Sequence, residues 1–203
     1  MEDNVSLNAG GIELEGLLRW RKDAPAVIIT HPHPLYGGDM HNPVVETIVR
    51  ACWQMGCTSL RFNFRVVGGS QGSHGQGLEE QKDVKATISF LETRGAATVS
   101  LAGYSFGAWV NAHTEFDPDG APAHQLMVSP PVAFIPFEKR AIGNLGHIVT
   151  GSRDEFATPA AVRRHVPTWN PDAKLTILQG ADHFFTNHLA ELESAVQAGM
   201  SPF

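Results

Sequence analysis

Residues 101–109 read LAGYSFGAW and place Ser105 between Gly103 and Gly107, directly after a run of strand-forming residues. Glycine and serine are common in turns of every kind, so the pattern gains meaning only from its flanks. TVSLA before it reads as a strand, and SFGAWVNAHTEF after it reads as a helix. In a strand–turn–helix setting, G-x-S-x-G holds the serine on a sharp, strained turn with its hydroxyl exposed above the sheet. Glycines two before and two after are then required, because side chains there would collide across the turn. The helix behind Ser105 also aims its first N–H groups at the hydroxyl's surroundings, which favours a developing negative charge.

Working outward, the chain alternates short apolar runs with amphipathic ones. NVSLNAGGIELEGLLRW predicts a hairpin turning at Ala9-Gly10-Gly11, and APAVIITH a strand covered on both faces. Asn42-Pro43 opens a helix whose apolar face is Val45, Ile48, Val49 and Cys52, closed near Gly56. CTSLRFNF, TVSLAG, HQLMVSP, GHIVTG and KLTILQG predict further strands. GLEEQKDVKATISFLETRG, SFGAWVNAHTEF, TPAAVRRHV and FFTNHLAELESAVQAG predict helices, the last with Phe185, Leu189, Leu192 and Val196 in line. This alternation specifies an α/β fold in one domain over residues 1–203: a mostly parallel twisted sheet of about eight strands with helices on both faces. Reactive groups of such sheets lie beyond the carboxyl ends of the strands. Six loops qualify, in THPHPLYGG, NFRVVGG, GYSFG, SPP, TGSRD and QGADH.

A serine hydroxyl needs a base to take its proton, and the base needs a carboxylate to orient it. His183 follows the last predicted strand and is the candidate base; Asp154, in the loop before it, is the candidate carboxylate. Glu155 is an alternative to Asp154, and Asp182 is a weaker one. The chain order serine, aspartate, histidine is that of α/β-hydrolases rather than of chymotrypsin-like or subtilisin-like proteins. An oxyanion formed at such a site needs backbone donors. The Phe106 N–H is one; a second comes from the loop after THP, where His33, Leu35 and Tyr36 remain once the prolines are set aside. Leu35 is preferred there, and Tyr36 comes second. Tyr36, Phe134 and Phe184 are expected to line the substrate site together with Phe106. Arg65 either meets a substrate carboxylate or, as favoured here, ties its loop to Asp83 or Glu80. His31, His33 and His41 cluster in one loop but have no acidic partner at ligand spacing, so no metal and no cofactor is expected.

The 203 residues carry a formal net charge of −6 and no basic block, which argues against nucleic acid or an anionic membrane as the main partner. Two cysteines, Cys52 and Cys57, are too few for a disulfide framework. No apolar run reaches spanning length, and the polar, acidic MEDNVSLN does not read as a signal peptide, so a cytoplasmic location is expected. Nothing in the sequence addresses oligomeric state.

Taken together, HPHPLYGGDMHNPVV, RFNFRVVGGSQG, LAGYSFGA, TGSRDEFATP and GADHFF resemble the small bacterial α/β-hydrolases related to dienelactone hydrolases and carboxylesterases. The resemblance spans nearly the whole chain. It implies a capless serine hydrolase with Ser105, Asp154 and His183 as a triad. Two departures stand out: the nucleophile position holds serine where dienelactone hydrolases proper have cysteine, and Val66 stands where such relatives tend to have glycine. Between HQLMV and HIVTG, the segment SPPVAFIPFEKRAIGNLG is too short for a helical cap. The expected activity is hydrolysis of small acyl esters or thioesters through an acyl-serine intermediate. A serine peptidase or acyltransferase on the same residues, and an inactive binding protein, are the alternatives.

Overall fold

The computed structural model describes residues 1–117, 120–138 and 140–200. Eight strands form one sheet in the order β1-β2-β4-β3-β5-β6-β7-β8. They are β1 (Asp3–Asn8), β2 (Glu13–Arg19), β3 (Ala26–Thr30), β4 (Thr58–Phe62), β5 (Val99–Tyr104), β6 (Gln125–Val128), β7 (Leu145–Gly151) and β8 (Lys174–Leu178). The β1–β2 hairpin is antiparallel and β2 pairs antiparallel with β4; every other pairing is parallel. Five helices connect them: α1 (Pro43–Gln54), α2 (Glu80–Thr93), α3 (Phe106–His113), α4 (Pro159–Trp169) and α5 (Leu189–Met200).

The central strands are buried on both faces, and their period-2 alternation sorts side chains into opposite layers. Val27, Ile29, Ala102, Tyr104, Leu126, Val128 and Val149 pack with α1 and α5. Ala26, Ile28, Val99 and Leu101 face the other way, toward α2 and α3. Met127 and Ile148 continue that second layer under α3 and α4. Burying each such aliphatic side chain contributes about 1.5–3 kcal/mol, and these layers fix where the strands end. The starts of α1 and α4 follow their sequence signals: Asn42 accepts a hydrogen bond from the Val44 N–H and Thr158 from the Ala161 N–H, each with proline at the first turn.

The last helix begins later than its apolar periodicity predicts. Asp182 Oδ1 accepts the Phe184 and Thr186 N–H groups at 3.1 and 2.9 Å, and Phe185 and Asn187 adopt φ of 53° and 60°. These bonds hold 182–187 as a turn, so α5 starts at Leu189, while Phe185 reaches the core from outside the helix. Between β6 and β7 the described residues contain no helix or strand, so nothing resembling a cap covers the carboxyl edge of the sheet there.

Candidate active site

At the end of β5 the backbone turns through Ser105 at φ 53°, ψ −116°. A non-glycine residue in that region carries strain of about 1–3 kcal/mol, held here by the strand before it, the helix after it, and the Ser105 N–H bond to Val128 O at 2.9 Å. Both neighbouring glycines are sterically required. A Cβ on Gly103 would come within 2.6 Å of the Ala108 N, and one on Gly107 within 2.5 Å of the Thr30 O.

Asp154 follows β7 and His183 follows β8, so three separate strand ends deliver three side chains to one edge. His183 Nε2 lies 3.0 Å from Ser105 Oγ, and His183 Nδ1 lies 2.9 Å from Asp154 Oδ2 and 3.0 Å from Oδ1. An ionised carboxylate can only accept, so Nδ1 carries the proton and Nε2 is free to accept from the serine hydroxyl. Asp154 Oδ1 also accepts the Phe156 and Ala157 N–H groups at 2.9 and 2.7 Å. Burial works to raise the Asp154 pKa, but the hydrogen bond and charge of His183, with the Ala157 N–H, outweigh it and hold the carboxyl below its ordinary value. From behind, the buried Tyr104 hydroxyl donates to the His183 carbonyl at 3.1 Å and anchors that loop. Glu155, the alternative carboxylate, is exposed, and Asp182 is occupied in capping its own turn.

The loop after β3, expected from the sequence to supply a second backbone donor, does not leave the Leu35 amide free. Pro34–Tyr36 forms a single 3-10 turn capped by His33, whose Nδ1 accepts the Leu35 N–H at 3.2 Å. Leu35 points to solvent and is absent from the cavity wall. The second choice, Tyr36, donates its N–H to the His33 carbonyl at 3.1 Å. Among the described residues, only His33 in that segment has an N–H without a protein acceptor; the Phe106 N–H at the start of α3 is likewise uncommitted. The signal was present in the sequence: His33-Pro34 repeats the cap–proline pattern of Asn42-Pro43 and Thr158-Pro159, and a capping side chain takes the amide two or three residues on.

A cavity of about 320 Å³ opens over Ser105. Tyr36, Phe106, Phe134 and Phe184, expected from the sequence, line it, and so does Phe156. Phe156 was not anticipated, although it stands only two residues past Asp154. Arg65 does not reach the cavity wall. Its guanidinium bonds Asp83 at 2.6–3.2 Å and Glu79 at 2.9 Å, the structural role favoured from the sequence. His31 is also structural, donating from Nδ1 to Pro32 O and accepting the Phe64 N–H at Nε2. Among the described residues no group of three or more histidine, cysteine or acidic side chains is arranged to hold a metal ion. A larger cavity of about 450 Å³ lies at the amino ends of β3, β5 and β6, among Trp20, Thr98, His124 and others. It contains none of the groups above and sits at the edge opposite to where open α/β sheets bind ligands.

An eight-stranded, mostly parallel sheet with a serine on a strained strand–helix turn defines the α/β-hydrolase class. The solved structure of an α/β serine hydrolase homologue from Coxiella burnetii matches with a TM-score of 0.89 and 32% identity, over 98% of this chain and 97% of that one. A serine hydrolase without a lid from Xanthomonas campestris matches with a TM-score of 0.88 and 30% identity, over 98% of this chain and 93% of that one. An uncharacterized protein of Rickettsia prowazekii, RP471, is 34% identical over 187 residues, 86% of this chain and 77% of that protein. No family model matches the chain. The chain belongs to the α/β serine hydrolase family, among its small members without a cap. No described helix is long and apolar enough to cross a membrane.

Proposed function

We propose that this protein hydrolyses small carboxylic esters or thioesters through an acyl-serine intermediate, with Ser105 as nucleophile, His183 as base and Asp154 as its orienting carboxylate. One observation carries the reading: the unbroken line of contacts from Ser105 Oγ to His183 at 3.0 Å and from His183 to Asp154 at 2.9 Å. In the first step Ser105 Oγ attacks the acyl carbon while its proton passes to His183 Nε2. The carbonyl oxygen gains the negative charge and takes the N–H groups of Phe106 and His33, each such donor contributing about 10²–10³ in rate. As the tetrahedral species collapses, the bond to the leaving group breaks and His183 Nε2 returns the proton to it. Water then repeats the sequence, with His183 as base, and releases the acid and free Ser105. Asp154 stays ionised throughout and stabilises the transient imidazolium.

A small-molecule substrate fits the 320 Å³ cavity. The free, buried thiols of Cys52 and Cys57 suit a reducing compartment such as the cytoplasm. The test is turnover of short acyl esters and thioesters, with an acyl adduct on Ser105 trapped by acid quench and seen by mass spectrometry. Wild type should show a burst of one leaving group per chain where deacylation is slow, and Ser105→Ala should show neither burst nor adduct. A folded wild-type protein inert toward the whole panel, or an adduct on another residue, would overturn the assignment.

A further inference from the structure

The side chains packed around His183 carry a second inference, which rests on the serine hydrolase reading. Any general acid must come within about 2.6–3.2 Å of the atom it protonates. The leaving atom therefore begins beside His183 Nε2, and the cavity-lining side chains packed on His183 are the ones placed to flank the leaving group. The carbonyl oxygen is drawn elsewhere, to the N–H groups of Phe106 and His33. Those two residues' rings pack 4.6 Å apart, and neither makes a ring contact with Phe134, Phe156 or Phe184; Tyr36 stands between, against His33 at 4.8 Å and Phe134 at 6.5 Å.

The surroundings of His183 are aromatic. The Phe156 ring lies 4.7 Å from the imidazole and the Phe184 ring 5.5 Å. Phe134 meets Phe156 edge-on at 5.5 Å, which extends the wall toward the mouth. Phe134 and Phe184 are 56% and 61% exposed, so much of each ring is still open to contact. Isolated exposed apolar residues need no explanation, but contiguous ones at the mouth of a cavity mark a binding surface. No Lys, Arg, Asp or Glu lines the cavity among the described residues, so a charged leaving group would find no counter-ion there. Arg65 does not line the cavity and is held by Asp83 and Glu79.

We propose that Phe134, Phe156 and Phe184 form the leaving-group wall of this site, selecting flat, uncharged, aromatic alcohols or thiols over small or charged ones. The three rings recognise the group that departs, not the acyl group that stays on Ser105.

Matched esters of one acid separate these roles, because they all pass through the same acyl-enzyme. Benzyl and ethyl butyrate suit the purpose, since their alcohols are of similar acidity. Phe134→Ala and Phe184→Ala both alter exposed rings, so folding is preserved, and Phe184→Tyr restores the ring. The benzyl-to-ethyl ratio of kcat/KM should fall about tenfold in each alanine variant and recover in Phe184→Tyr, in keeping with the contribution of one aromatic contact. The butyrate-to-acetate ratio, with benzyl alcohol held constant, should keep its wild-type value. An unchanged benzyl-to-ethyl ratio in both alanine variants would overturn the proposal, because rings that only shield His183 from water affect all esters alike. A shifted butyrate-to-acetate ratio would overturn it too, by assigning the wall to the acyl group. If neither ester turns over and a fluorophosphonate leaves Ser105 unlabelled, the serine hydrolase reading fails, and the wall fails with it.

Discussion

Two histidine–carboxylate pairs stand at the same edge of this sheet, and only one of them meets a serine hydroxyl. His183 Nδ1 lies 2.9 Å from Asp154, and His74 Nδ1 lies 2.9 Å from Glu80. Both carboxylate side chains are fully buried, and each accepts two backbone N–H groups: Phe156 and Ala157 for Asp154, Gly75 and Gly77 for Glu80. They differ first at the imidazole, where His183 Nδ1 hydrogen-bonds both Asp154 oxygens but His74 Nδ1 lies near Glu80 without hydrogen-bond geometry, and again beyond it. His183 presents Nε2 to the Ser105 hydroxyl, whereas His74 packs against the rings of His33 and Phe106 at 5.2 and 6.0 Å. A buried histidine–carboxylate pair is therefore not in itself a site. On the proposed reading, a serine on a strained turn and uncommitted amides make one of the pairs catalytic; the other braces the glycine-rich loop before α2.

The largest effect should separate the two carboxylates. Asp154→Asn leaves a similar shape but favours the wrong histidine tautomer, and ester turnover should drop on the order of 10⁴-fold. Glu80→Gln should change kcat less than about tenfold while lowering stability by about 1–3 kcal/mol in denaturant melts, because one loop N–H loses its acceptor. Equal kinetic losses in both variants would break the distinction.

Next in size is the proposed oxyanion loop. His33 has φ −58°, which proline accepts without strain, so His33→Pro deletes one N–H at little conformational cost. Its kcat should fall about 10²–10³-fold. His33→Ala, which loses the cap on Leu35 but keeps the amide, should fall by much less. Parity between the two would return the donor role to a different residue.

A third expectation concerns pH. Burial lowers the His31 pKa from 6.5 to about 4, against the smaller opposing effect of its bond to Pro32 O. The unfolded chain thus binds a proton there between these values, while the native protein does not. Stability from this group is complete above about pH 6.5 and is lost as pH falls toward 4, by about 3 kcal/mol. Burial lowers His147 in the same direction, also to about 4. Unfolding free energies measured from pH 7 to 4 should therefore decline, and His31→Gln should decline less steeply than wild type.

The smallest effect belongs to Val66, which adopts φ 71°. A β-branched residue is costly in that region, and glycine is not. Val66→Gly should raise stability by about 1 kcal/mol, net of the greater freedom glycine gains on unfolding. A loss of stability would mean that the Val66 side chain makes compensating contacts.

Much of this was legible in the chain itself, for local reasons. The strands are short apolar runs with turn residues at both ends, and the elbow carries its glycines at fixed offsets. Asp154 and His183 sit where strand ends must place them, so their meeting with Ser105 follows from sheet order. What escaped the sequence depends on which hydrogen bond wins when several are available. Leu35 was a plausible donor until His33 claimed its amide. The stretch from Phe184 to His188 fits a helical period, but Asp182 captures two amides and delays α5. Phe156 gave no periodic signal, because its position depends on the loop that Asp154 folds around itself.

The most direct test compares the two histidines as activators of Ser105. Wild type, His183→Ala and His74→Ala would be exposed to a fluorophosphonate, with labelling followed by intact mass and the site located by peptide mapping. One adduct per chain at Ser105 is expected in wild type and in His74→Ala, with labelling of His183→Ala slower by on the order of 10³-fold or more. Labelling of His183→Ala at the wild-type rate, or its loss in a folded His74→Ala, would contradict the assignment of His183 as the base.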